Sequence, residues 1–172
     1  MKNMTLANKI TLIRIVLIPV FIITLLQGLF PWPAIIFTVT IISDALDGFV
    51  ARRRKQITPL GSFLDPLADK LLMFSSYLVT AYLHSIPLWV FVVILSRDSI
   101  IVIGWAVIYF ITGSTEIKPR LLGKMSTVFQ MVTIWLILLG LHGAIIDKLL
   151  IATVCVTALS GIDYLVTGSR KA

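Results

Sequence analysis

Apolar residues run along this chain in six long blocks separated by short polar or charged segments. The blocks cover about Ile10 to Leu29, Ala34 to Ala51, Ser62 to Leu83, Leu88 to Thr112, Lys124 to Leu141 and Lys148 to Val166. A membrane-spanning helix needs about 20 mostly apolar residues, so each block predicts one span. Turn residues fall between them, at Pro31-Trp32-Pro33, Thr58-Pro59-Leu60-Gly61 and His84-Ser85-Ile86-Pro87. The fold class predicted is an all-α integral membrane protein with six transmembrane helices and a short N-terminal interfacial segment, forming a single domain over residues 1–172. A basic start followed by an apolar run also fits a secretory signal peptide. The run is long and no small-residue cleavage site comes before Pro31, so it is read as a retained first span.

Composition supports that reading. Only 13% of residues are charged, against about a quarter in soluble domains. The net charge of +7 matters less than where the bases lie. Six spans put both termini on one side, which then holds Lys2, Lys9, Arg52 to Lys55, Lys118, Arg120, Lys124, Arg170 and Lys171, while the other side holds Lys148. The positive-inside rule assigns the richer side, with the termini, to the cytoplasm. Bases at span ends face lipid phosphates or phosphorylated substrates, and nucleic acid explains them poorly. Cys155 is the single cysteine, which excludes an intramolecular disulfide and a cysteine metal site.

The chemistry is concentrated between Ser43 and Lys70. Asp44 and Asp47 are three residues apart and Asp65 and Asp69 four apart, so each pair shares one helical face, at the end of one span and the start of the next. If those helices form an antiparallel hairpin, the faces can converge. Clustered carboxylates cannot all stay ionised unless a cation joins them or some take protons. Hard divalent cations, Mg²⁺ or Mn²⁺, are the natural occupants. A proton or cation relay of a transporter is the competing class, although such relays distribute polar groups across the bilayer and this cluster lies near one face. Surface acids paired with Arg52 to Lys55 are the bland alternative. Gly48, Ala51 and Gly61 beside the acids let a backbone or a flat ligand approach closely, although helix packing also favours small residues.

Further polar residues are weaker signals. Asn8, Thr11 and Arg14 are spaced three apart on the first helix, which reads as a cap and an interfacial, snorkelling anchor. Arg97, Lys118, Arg120 and Lys124 are cations that suit a phosphate-bearing ligand. Arg97 can instead pair with Asp98 inside the fourth span. Asp163 with Tyr164 reads as a packing pair, and His84 and His142 fall in loops away from the acids.

The spacing Asp44-x2-Asp47-Gly48-x2-Ala51-Arg52-x8-Gly61-x3-Asp65-x3-Asp69 resembles the complete motif of the CDP-alcohol phosphotransferase family. The likeness extends through Asn8, Thr11 and Arg14, through Leu64 to Lys70, and to Gly123-Lys124 with Thr127 and Gln130. It implies a six-span, often dimeric enzyme that transfers a phosphatidyl group from CDP-diacylglycerol to an alcohol and releases CMP. By position, Asp44, Asp47 and Asp65 would be ligands of two divalent cations, Mg²⁺ or Mn²⁺, and Asp69 both ligand and general base. Asp44, Gly48, Ala51, Arg52, Gly61, Asn8 and Thr11 would hold the cytidine diphosphate end. Within the family the first three spans are most similar to the branch whose acceptor is glycerol 3-phosphate, with Arg97, Lys118, Arg120 and Lys124 facing the acceptor phosphate. Asp98, where that branch often has Glu, and Ser126, where a second Lys is common, depart from it. The branch that uses phosphatidylglycerol is the nearest alternative. The implied setting is the bacterial cytoplasmic membrane, with the site on the cytoplasmic side.

Overall fold

The computed structural model describes residues 6–54, 59–112 and 121–168, with side chains at 11–44, 67–104 and 121–166. All secondary structure among these is helical: α1 Leu6–Leu26, α2 Trp32–Arg54, α3 Pro59–Tyr82, α4 Leu88–Thr112, α5 Leu121–Leu138 and α6 Ala144–Gly168. Each of the six apolar blocks therefore forms one helix. Met1–Thr5, the start of the expected interfacial segment, lie outside the described residues, while Leu6 to Lys9 already belong to α1.

Helix ends follow local chemistry more than hydrophobicity. α1 stops three residues before its apolar block does, because Gly28 takes a positive φ of 63°. The Leu29 N–H then donates to the Thr24 carbonyl at 3.0 Å and the Gly28 N–H to Leu25 at 3.1 Å, the paired bonds of a Schellman cap. Gly140, with φ 78°, closes α5 in the same way, through Leu141 to Leu136 and Gly140 to Ile137. Pro59 opens α3, where the missing N–H has no intrahelical partner to lose.

The chain divides into two compact units, Met1–Leu83 and His84–Ala172. In the first, α1 packs against both α2 and α3. Phe21 of α1 and Phe37 of α2 meet with ring centroids 6.1 Å apart and are fully buried. In the second, α6 packs against both α4 and α5. A buried polar ladder joins α5 to α6: Gln130 donates to Thr157 at 3.1 Å, and the Thr133 and Thr153 hydroxyls lie 2.7 Å apart. Tyr164 of α6 donates to the Ile101 carbonyl of α4 at 3.3 Å.

Polarity is distributed inside-out. Thr11, Arg14, Thr40, Arg97, Gln130 and Thr157 are buried, while Val16, Ile103, Leu121 and Ile145 are more than half exposed. Inward polar groups and outward hydrocarbon suit helices whose solvent is lipid. Among the described residues, Leu121–Leu138 and Ala144–Val166 are each long and apolar enough to cross a membrane, and Thr11–Leu26 and Trp32–Asp44 are shorter apolar stretches. Together these features indicate membrane association.

Candidate active site

On α1 the inward positions follow helical spacing. Thr11, Arg14, Ile18 and Phe21 are buried, and Ile13, Val16, Val20 and Ile23 face outward. Arg14 is 2% exposed. It is therefore not the snorkelling anchor that its place near the start of a span suggests. An arginine at such a position is costly unless it is paired.

Its partners come from the other two helices of the unit. Arg14 Nη1 donates to Asp44 Oδ1 of α2 at 2.6 Å and reaches Asp69 Oδ1 of α3 at 3.5 Å. One nitrogen of α1 thus gathers a carboxylate from each of the two acidic helices. The arrangement is a three-helix one, in which α1 supplies the point where the acids meet. About a third of each carboxylate remains exposed, against 1% of the arginine side chain. The cation lies behind and the acids open outward.

Of the other residues expected here, Asp47, Gly48, Ala51 and Arg52 belong to α2, and Gly61 and Asp65 to α3, with side chains outside the described residues. Asn8 belongs to α1 and its side chain is likewise outside them. Thr11 is buried on the Arg14 face. The carboxylate oxygens of the site are hard donors suited to Mg²⁺ or Mn²⁺. Among the described residues, Asp44 and Asp69 meet at Arg14, and no group of three or more His, Cys, Asp or Glu side chains forms there.

In the second unit, Arg97 of α4 is 6% exposed. Its Nη1 donates to Asp98 Oδ1 at 2.7 Å, and its Nη2 donates to Ser160 Oγ of α6 at 2.9 Å and to the Gly123 carbonyl of α5 at 3.4 Å. Two glycines make room for it. A Cβ at Gly123 would stand 3.3 Å from Nη2, and one at Gly161 would stand 3.5 Å from Cγ. Arg97 thus joins the pair with Asp98 to a bridge across three helices. Lys124, in the first turn of α5, is exposed. Lys118 and Arg120 lie outside the described residues.

Sequence reasoning assigned Arg14 to the membrane surface and passed over Ser160. For Arg14 a signal was present, since it lies within an apolar block and no acidic residue precedes Asp44. Ser160 gave none, being one small polar residue among several in α6.

The profile of the CDP-alcohol phosphatidyltransferase family matches residues 4–162. The chain is 34% identical over 177 aligned positions to the "Probable phosphatidylglycerophosphate synthase" of Mycobacterium tuberculosis, covering 96% of this chain and 82% of that protein. It is 35% identical over 150 positions to the "CDP-diacylglycerol--glycerol-3-phosphate 3-phosphatidyltransferase" of Bacillus subtilis, covering 78% of this chain and 76% of that protein. A "Probable cardiolipin synthase (CMP-forming)" of Drosophila melanogaster is 34% identical over 149 positions, covering 77% of this chain and 46% of that protein. With the acidic motif on two helices that meet at α1, and with a profile that runs through nearly the whole chain, the protein belongs to the CDP-alcohol phosphatidyltransferase family.

Proposed function

We propose that this protein transfers the phosphatidyl group of CDP-diacylglycerol to glycerol 3-phosphate, releasing CMP and forming phosphatidylglycerophosphate. The observation that carries the reading is the meeting of Asp44 and Asp69, from separate helices, at one cationic point. The printed names of the Mycobacterium and Bacillus relatives support the acceptor. Membership of a phosphatidyltransferase family favours this enzyme over a cation-coupled transporter.

In this reading Asp44, Asp47, Asp65 and Asp69 would hold two divalent cations, Mg²⁺ or Mn²⁺, which would supply positive charge to stabilise the leaving phosphate. Asn8, Thr11, Asp44, Gly48, Ala51, Arg52 and Gly61 receive the cytidine diphosphate end. The acceptor hydroxyl oxygen attacks the phosphorus that bears diacylglycerol. Its proton passes to Asp69 as the bond to the CMP oxygen breaks. Direct in-line displacement needs no covalent enzyme intermediate.

Arg97, Lys118, Arg120 and Lys124 are assigned to the acceptor phosphate. Lys124 suits it best, because it is exposed and the first turn of α5 carries no acidic residue. Arg97, whose terminal nitrogens already hold Asp98 and Ser160, contributes chiefly by fixing the start of α5. The proposed setting is a six-span homodimer with both termini and the site on the cytoplasmic side of a bacterial membrane.

A second acceptor, phosphatidylglycerol, is favoured by the relatives named cardiolipin synthase. Purified protein given CDP-diacylglycerol with Mg²⁺ or Mn²⁺ and either acceptor distinguishes the two by lipid product. Phosphatidylglycerophosphate is the expected product. Absence of CMP release with every alcohol tested would sink the enzyme reading.

A further inference from the structure

Arg14 occupies an unusual place for a basic side chain. It is buried behind two acids that are themselves partly open, and its Nη1 stands 2.6 Å from Asp44 and 3.5 Å from Asp69. A guanidinium so placed could act in two ways. It could compete with a metal for the carboxylates, or it could stand behind them and aim them at the metal.

Burial decides between these. A competitor must withdraw when metal arrives, and an arginine side chain that is 1% exposed is packed where α1 meets α2 and α3. Removing it from the acids would leave a buried charge uncompensated, which is strongly unfavourable. Staying in place costs nothing comparable. Asp44 accepts the arginine on Oδ1, and an ionised carboxylate has a second oxygen with which to bind another cation. Outer partners of this kind orient metal ligands, and their loss typically weakens metal affinity 10–100-fold.

We propose that Arg14 is a positioning residue of the metal site: from behind, its Nη1 holds Asp44 and Asp69 in the orientation in which they bind divalent cations. The inference rests on the reading of the acidic motif as a metal site. Arg14 itself touches no substrate in this account.

The test is Mn²⁺ binding to the purified full chain without substrate, followed by the paramagnetic signal of free Mn²⁺, for wild type, Arg14→Gln and Arg14→Lys. Arg14→Gln should weaken Mn²⁺ binding by about 10–100-fold, and excess Mn²⁺ should recover part of its CMP release. Arg14→Lys should stay within a few-fold of wild type, because a single nitrogen, Nη1, reaches both acids and a lysine offers a single positive point. Metal rescue of Arg14→Gln and retained affinity in Arg14→Lys are results that a merely misfolded protein would not give. Should Arg14→Gln fail to fold, Arg14→Lys decides alone, and weakening of Mn²⁺ as severe as that of Asp44→Asn overturns the proposal. Equal or tighter Mn²⁺ binding by Arg14→Gln overturns it too, in the second case by making Arg14 a competitor. If wild type binds no Mn²⁺, the metal reading fails and this inference with it, whereas wild-type binding with an unaffected Arg14→Gln removes only the role of Arg14.

Discussion

Arg97 on α4 donates from Nη2 to the Ser160 hydroxyl on α6 at 2.9 Å, and both side chains are buried. Ser160→Ala removes an acceptor from a buried charged donor, a loss of about 1–3 kcal/mol. Thermal unfolding in detergent should therefore occur at lower temperature in Ser160→Ala. Arg97→Lys should fall further, since an ammonium cannot reproduce the planar fork that reaches Asp98 and Ser160 together. A Ser160→Ala protein as stable as wild type would show that the bridge contributes nothing.

Lys124 should behave differently from Arg97, because it is exposed and needs no partner to be stable. A hydrogen bond to a charged group is worth about 1.5–3 kcal/mol, so losing one to phosphate should raise KM about 10- to 100-fold. Steady-state kinetics on Lys124→Gln should show that rise for glycerol 3-phosphate, with KM for CDP-diacylglycerol unchanged. An equal rise for both substrates would remove Lys124 from the acceptor.

Two of the motif acids should separate by role. Asp69→Asn keeps an oxygen for metal but loses the proton acceptor, and general base catalysis contributes about 10²–10⁴-fold. CMP release should drop by that factor while Mn²⁺ still binds. Asp44→Asn should lose Mn²⁺ affinity as well as turnover. Retained turnover in Asp69→Asn would take away its role as base.

Gly104 is a packing constraint between α4 and α6. A Cβ there would stand 2.7 Å from Tyr164 Cε1 and 3.1 Å from its hydroxyl, and that hydroxyl is bonded to Ile101. Overpacking of this kind typically costs about 1–3 kcal/mol. Gly104→Ala should lower the unfolding temperature, and Tyr164→Val in the same chain should recover part of the loss. Strict additivity of the two changes would show that the ring is not what the methyl meets.

Much of the fold was legible because each apolar block corresponds to one helix. The six blocks became six helices, and the differences lie at the ends. α1 ends early at the Gly28 cap, α2 continues through Arg52 to Arg54, and α6 begins at Ala144, four residues before its expected start. Apolar content cannot place such ends, since caps are made by backbone geometry and charged residues extend a helix beyond its apolar stretch.

Asp44 and Asp69 were legible as acids of two successive helices, while the side chains of Asp47 and Asp65 lie outside the described residues. Arg14 was not legible as their partner. Its partners stand 30 and 55 residues away, and no local period reports such a pairing. A position near the start of a span allows both a surface anchor and a buried counter-charge. Only the packing of α1 against α2 and α3 distinguishes them.

The Arg14 ion pairs also bear on what α1 needs from the rest of the chain. Residues 1–43 contain no Asp or Glu, so α1 holds no counter-charge of its own for Arg14. A buried arginine without its carboxylate is an uncompensated charge, which is strongly destabilising. The shortest portion in which Arg14 meets a carboxylate is therefore α1 with α2.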